Sequence, residues 1–220
     1  MNITVLGAGA WGTAFGQVLA DAGNQVTMWA IEPEIVEGIR DHHHNGVRLP
    51  SVEKLPENMT ATGDRAEAVA NADIVVVAIA AQFARVALEG FVGLIPQNAI
   101  VVSLMKGIER TTGKRMDEVV CEALNLPRNR FAALSGPNLS KEVASRHPAA
   151  AVVACAEKSQ AEVVAKACSN SYFKAFVSTD VIGVEMCGSL KNVVALAVGM
   201  ARGAGYGENT AAMIETRGLA

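Results

Sequence analysis

The segment Gly7-Ala8-Gly9-Ala10-Trp11-Gly12 constrains this chain more than any other feature. It follows directly on Asn2-Ile3-Thr4-Val5-Leu6, a β-type run. It leads into Thr13–Ala22, where Ala14, Phe15, Val18, Leu19 and Ala22 recur at helical spacing. Gly23-Asn24 supplies a left-handed stop, and Gln25–Trp29 reads as the next strand. Strand, glycine turn, helix, strand is one βαβ unit, which favours a parallel sheet with a right-handed crossover. Within it each glycine has a physical task. Gly7 permits the tight turn, Gly9 lets a pyrophosphate approach the backbone, and Gly12 lets helix and strand pack closely. The helix start adds free N–H groups and partial positive charge for the phosphates.

Glu32 stands 20 positions beyond Gly12, just after the second strand. There its carboxylate can accept both ribose hydroxyl hydrogens of NAD. A 2′-phosphate would face like charge, and no Arg or Lys occurs between Trp29 and Glu37. NAD is therefore expected ahead of NADP, with NADP as the second candidate. A solvated surface glutamate is the alternative reading of the same residue.

Further along, Ile74–Ala80 is an unbroken apolar run, as in a central parallel strand buried on both faces. Ala99–Ser103, Phe131–Leu134, Ala150–Ala154 and Phe173–Val177 are further strands, while His42–Asn58, with Gly46, Pro50 and Pro56, reads as an irregular surface connection. From Glu185 the strand signals stop. Val184–Ala201 reads as one helix, Gly203–Gly207 as a break, and another helix begins near Asn209. The expected fold is α/β: a Rossmann-like, doubly wound, mostly parallel sheet over residues 1–185, then the start of an all-helical second domain over 186–220. That second domain reads as cut short, because Ala220 falls inside a helix without a stop signal. Its apolar helices call for a partner surface, and a homodimer is one candidate.

Composition narrows the function. The 220 residues are 50% hydrophobic, with 19 Lys and Arg against 22 Asp and Glu, a net charge of −3. So high an apolar content excludes intrinsic disorder, and no basic balance exists to neutralise nucleic-acid phosphates. The uninterrupted apolar runs fall far below the ~18 residues of a membrane span, and no secretory leader opens the chain. Cys121, Cys155, Cys168 and Cys187 show no C-x-x-C spacing and sit in apolar stretches. A reducing, cytoplasmic setting is expected. His42-His43-His44 are adjacent and point different ways, so no metal is expected, and no G-x-S-x-G elbow supports a hydrolase.

Two lysines draw attention. Lys191 is the only cation between Lys174 and Arg202, in a helix otherwise apolar in its later turns. Such a lysine is either paired, functional, or snorkelling to solvent. Lys106 lies just past a predicted parallel strand, where α/β sheets bind ligands; an ordinary loop lysine is its plainer reading. Ser135-Gly136-Pro137-Asn138 follows another strand, and its amides and Asn138 can bind an anion or a hydroxyl, or merely cap a turn.

Taken together, Gly7–Ala14, Lys106-Gly107-Ile108-Glu109, Ser135–Asn138, Gly183-Val184-Glu185 and Gly188-Ser189-Leu190-Lys191-Asn192 resemble the NAD(P)-dependent glycerol-3-phosphate dehydrogenase family. Tyr206–Asn209 and Thr216–Ala220 continue the resemblance, which spans essentially the whole chain. It implies hydride transfer between C2 of sn-glycerol 3-phosphate and a nicotinamide, interconverting that alcohol with dihydroxyacetone phosphate. By the same resemblance Lys191 is the proton acceptor and touches substrate with Asn192, while Lys106 touches substrate and cofactor. Gly136 and Asn138 line the substrate site; Ala10, Trp11 and Ser140 touch the cofactor, and Phe83 packs near it. Lys106 is expected to disfavour the charge on Lys191 while helping to bind the anionic substrate.

Three departures qualify the likeness. Met105 replaces a hydroxyl residue before the first lysine, Ile31-Glu32 stands where many bacterial members carry a basic residue, and the chain stops before a later Arg-Asn element. A non-catalytic dinucleotide-binding fragment is therefore one alternative. A β-hydroxyacid or 6-phosphogluconate-type dehydrogenase is another, ranked lower because position 195, four beyond Lys191, is Ala rather than Asn.

Overall fold

A computed structural model describes residues 1–218. Leu219 and Ala220, the end of the Thr216–Ala220 motif, lie outside the described residues. The first half alternates strand and helix: β1 (Asn2–Leu6), α1 (Ala10–Asp21), β2 (Gln25–Trp29), α2 (Pro33–His42), β3 (Met59–Thr62), α3 (Arg65–Val69) and β4 (Ile74–Val77). A second series follows with α4 (Ala84–Glu89), β5 (Ile100–Ser103), α5 (Met116–Ala123), β6 (Phe131–Ser135) and α6 (Ser140–Ala144). The chain then forms β7 (Ala149–Cys155), α7 (Lys158–Cys168), β8 (Phe173–Ser178), α8 (Val181–Gly203) and α9 (Glu208–Gly218).

The strands make one sheet in the order β3-β2-β1-β4-β5-β6-β7-β8. Every pairing is parallel except β6 with β7, which is antiparallel, so the doubly wound, mostly parallel reading holds. The order reverses between β1 and β4, and that switch point opens a crevice at the carboxyl ends of the strands.

Helices on both faces explain why β4 is apolar at every position. Ile74 and Val76 join the core beneath α1 with Phe15 and Val18, whereas Val75 and Val77 join Phe91 and Val120 on the opposite face. Phe15, Phe91, Phe131 and Phe173 are fully buried, each worth about 2–3 kcal/mol of apolar transfer. Phe15 meets Phe173 edge-on at 5.9 Å, tying α1 to β8.

Several boundaries differ from the sequence expectations. β4 ends at Val77 rather than Ala80 because the chain turns there to pass over the glycine turn. Strand β3 was hidden in a short polar-apolar alternation of four residues. The loop before it is not a mere surface connection, since Asn45, Leu49 and Leu55 are each no more than 2% exposed. The last long helix spans Val181–Gly203 instead of 184–201, because Asp180 caps it by accepting the Gly183 N–H at 2.8 Å. Beyond β6 and β7, α8 packs on α9, and a long apolar face with Val193, Leu196 and Met200 stays exposed.

Candidate functional site

The crevice is built around the glycine turn. Gly7 adopts φ +109°, and a side chain there would also press on the Ala78 carbonyl, 2.7 Å away. A methyl on Gly12 would collide with the Gly7 carbonyl oxygen. Gly9 differs: among the described residues nothing lies within 4 Å of where its Cβ would be. No side chain caps the start of α1, so its first-turn N–H groups face that open space. Asn45 braces the turn by donating to the Ala8 carbonyl at 3.0 Å and the Thr13 hydroxyl at 2.8 Å.

A cavity of about 780 Å³ runs from Gly7, Gly9 and Ala10 past Glu32 and Arg48 to Phe83. Its lining includes two exposed apolar side chains, Ile31 at 74% and Phe83 at 69%, surface that suits an apolar ring. Of the other residues expected at the cofactor, Trp11 and Ser140 do not border this cavity. Trp11 turns to Phe15, 5.7 Å between rings, and Ser140 begins α6, which packs on α1. Gly12 lies beneath the turn, where its work is close packing.

Glu32 is not the free acceptor that the sequence implied. Arg48 donates to Glu32 Oε1 at 2.9 Å, and this bond is the first cause holding the Glu32 carboxyl below its ordinary range. The local window from Trp29 to Glu37 holds no cation, but the loop after α2 folds back and delivers one.

Next to this cavity, Gly107 abuts Ala81, with 3.6 Å from its Cβ position to the Ala81 methyl. Lys106 is half-buried and donates to the Gly136 carbonyl at 2.8 Å. Burial first, and then the charge of Lys191, lower its pKa. The desolvated amine of the pair is thus Lys106, whereas Lys191 is exposed on α8 and donates to Asn192 Oδ1 at 3.0 Å. Lys191 is exposed because it stands in the middle of α8, on a stretch with few buried neighbours, rather than at the helix start.

Gly188, one turn earlier, makes the approach possible. A methyl there would meet Ser135 Oγ at 2.6 Å and Lys106 Cγ at 3.7 Å. Both amide atoms of Asn138 are buried without a hydrogen-bond partner among the described residues, an arrangement that suits a polar ligand. The loop holding Lys106 is pinned by Glu109, which accepts two bonds from Arg85 at 2.9 Å each, and by Gln82 on the Ile108 carbonyl at 2.9 Å. Met105, in place of a hydroxyl residue, packs beside Ala84 and Met116.

Residues 2–161 match the sequence profile of the NAD-dependent glycerol-3-phosphate dehydrogenase N-terminus, and 180–220 that of its C-terminus. The chain belongs to this family. It is 83% identical over 219 residues to glycerol-3-phosphate dehydrogenase [NAD(P)+] of Bifidobacterium longum strain DJO10A, covering 100% of this chain and 66% of that protein. Glycerol-3-phosphate dehydrogenase of Saccharomyces cerevisiae superposes with a TM-score of 0.89 at 31% identity, over 100% of this chain and 68% of that one. The Coxiella burnetii enzyme gives 0.87 at 30%, over 99% and 66%. The chain thus spans about two thirds of the length of the curated glycerol-3-phosphate dehydrogenases it matches.

Sequence reasoning missed Arg48 and Asn45, both in a loop with no periodicity. An Asn-Gly pair at 45–46 is a turn signal, but nothing local shows that this turn leads back toward Gly7.

Proposed function

We propose that this chain carries the nucleotide-binding and proton-transfer parts of a glycerol-3-phosphate dehydrogenase, interconverting sn-glycerol 3-phosphate and dihydroxyacetone phosphate. The observation that carries this reading is the open glycine cradle, bordered through Gly107 and Ala81 by the loop of Lys106, with Lys191 next to it. Bound in the crevice, a nicotinamide dinucleotide supplies the hydride donor or acceptor. Gly9 and the first turn of α1 would hold its pyrophosphate, and Ile31 and Phe83 would offer apolar surface to its adenosine.

The chain's own residues handle charge and protons. An alcohol must lose its hydroxyl proton as its C–H bond breaks, and Lys191 takes that proton. In reverse, Lys191 as an ammonium polarises the ketone oxygen. Lys106 presents positive charge to the anionic substrate, Gly136 and Asn138 border it, and Asn192 holds the Lys191 amine. Trp11 and Ser140 support the cofactor through the packing of α1 and α6.

For the cofactor, Glu32 favours NAD by accepting from the ribose hydroxyls, and Arg48 beside it admits NADP at a cost. The division into residues 1–185 and 186–220 falls within α8, whose first turns belong to the nucleotide-binding side. By length and composition α8 could cross a membrane, with mean hydropathy 1.6 over its most apolar stretch. We read it instead as an interdomain helix, because Glu185 and Gly188 are buried against the sheet domain. Its exposed face fits a second copy of the chain, and the four free thiols fit a reducing cytoplasm.

The test is direct. NADH and dihydroxyacetone phosphate are mixed with the protein and NADH absorbance is followed; the rate should vanish in Lys191→Ala while NADH still binds. Turnover that survives this substitution removes Lys191 as the acid and base. Binding without turnover in the parent leaves the dinucleotide-binding fragment as the function of these 220 residues.

A further inference from the structure

Under the first turns of α8, away from the cavity, five charged groups meet. The Glu185 and Asp117 side chains are only 5% and 6% exposed. Glu185 Oε1 accepts the Asp117 backbone N–H at 2.9 Å, at the N-terminal turn of α5. Arg115 faces both carboxyls, with Nε 3.1 Å from Asp117 Oδ1 and 3.6 Å from Glu185 Oε2. Arg128 reaches Asp117 from the rim at 3.7 Å, Glu118 lies 3.6 Å from Arg115, and Cys121 sits one turn further along α5. From α8 itself, Asp180 is occupied in capping its helix.

Among the described residues, Asp117 Oδ1 and Glu185 Oε2 are buried without a donor of good geometry. A proton on the Glu185 carboxyl would spare Arg115 from balancing both buried carboxylates as well as Glu118. In agreement, burial first and then Asp117 push Glu185 up to about 8.

The geometry of α8 gives this contact a consequence. Glu185, Gly188 and Lys191 follow one another at intervals of three on a single helix, so anchoring the first sets the other two. We propose that Glu185 is a positioning residue: its carboxyl, seated on α5 against Asp117, fixes α8 so that Gly188 rests on Ser135 and Lys191 stands beside Lys106. The importance of Lys191 rests on the function proposed above; the anchoring does not.

The test compares Glu185→Ala, Glu185→Gln and the parent chain. Acylation of Lys191 is read by peptide mass spectrometry against Lys158, an amine with a 70% exposed side chain. The Ala variant should shift the Lys191-to-Lys158 ratio about threefold or more, and Gln, which keeps a donor and an acceptor, should restore it to within about twofold. Thermal unfolding supplies the second reading. A group that holds its proton more tightly when folded loses stability as pH rises from its unfolded value, 4.5, to about 8. The parent should therefore lose Tm relative to Glu185→Gln across that window. An unshifted ratio in the Ala variant, or parallel Tm profiles for parent and Gln, overturns the proposal. Should the Ala variant not fold, the Gln profile still decides. If labelling and unfolding respond as expected while dihydroxyacetone phosphate is not reduced, the proposed function fails and the positioning role stands.

Discussion

Arg48 Nη2 lies 2.9 Å from Glu32 Oε1, where both side chains line the crevice that opens over the glycine turn. Both side chains are more than 40% exposed, so the pair itself adds little to stability, under about 1 kcal/mol. On the function proposed above, its weight falls on cofactor choice: Glu32 would accept from a ribose diol, and a 2′-phosphate would compete with Glu32 for Arg48.

Fluorescence titration should accordingly show NADH binding tighter than NADPH in the parent chain. Glu32→Gln is expected to improve NADPH binding, and Arg48→Ala to weaken NADPH by roughly tenfold with a smaller effect on NADH. Equal losses for both cofactors in Arg48→Ala would show that Arg48 only shapes the loop.

The glycines of the turn should separate folding from binding. Gly12→Ala drives a methyl into the Gly7 carbonyl and should cost about 2 kcal/mol or more in urea unfolding. Gly9→Ala meets open space at φ −68°, so its stability should change by less than about 0.5 kcal/mol. On the proposed function its methyl would stand in the phosphate's approach, and NADH affinity should fall roughly tenfold.

Asn138 offers the opposite contrast to a structural asparagine such as Asn45. Its amide atoms are buried and unpartnered, so Asn138→Ala should leave stability unchanged or raise it by up to about 1 kcal/mol. The same substitution should raise KM for dihydroxyacetone phosphate. A clear loss of urea stability would mean that the amide is already satisfied without a ligand.

Acid should loosen the Lys106 loop first. Hydrogen bonding from Arg85 is the first cause holding the Glu109 carboxyl down at about 2, against 4.5 when unperturbed. A depressed folded-state pKa stabilises above 4.5, and this contribution is lost as pH falls toward about 2. Between those limits the urea midpoint of the parent should fall more steeply than that of Arg85→Met. Equal slopes would refute a folding role for the pair.

The exposed face of α8 makes a prediction about assembly. Val193, Leu196 and Met200 are 63%, 64% and 67% exposed and, at i, i+3 and i+7, form one apolar stripe that association would cover. Sedimentation should show concentration-dependent association that Leu196→Glu reduces. A chain that sediments as a monomer at all concentrations removes the homodimer.

Much of this molecule follows from short stretches of sequence. The turn at Gly7–Gly12, the fully apolar β4 and the helix of Lys191 were each legible, because backbone conformation and two-sided burial leave local signatures of spacing and residue type. The sequence likewise carries the family, through the glycine turn and the blocks around Lys106, Asn138 and Lys191. Tertiary structure decided which charges meet. Arg48 reaches Glu32 over 16 positions, Asn45 reaches Ala8 over 37, and Glu185 reaches Asp117 over 68. It also decided that burial falls on Lys106 while Lys191 stays exposed. The physical reason is that a periodic pattern reports which face of an element is buried. Charge pairing and desolvation depend instead on which distant segments the packed sheet brings within a few ångströms, and one strand's spacing does not encode that.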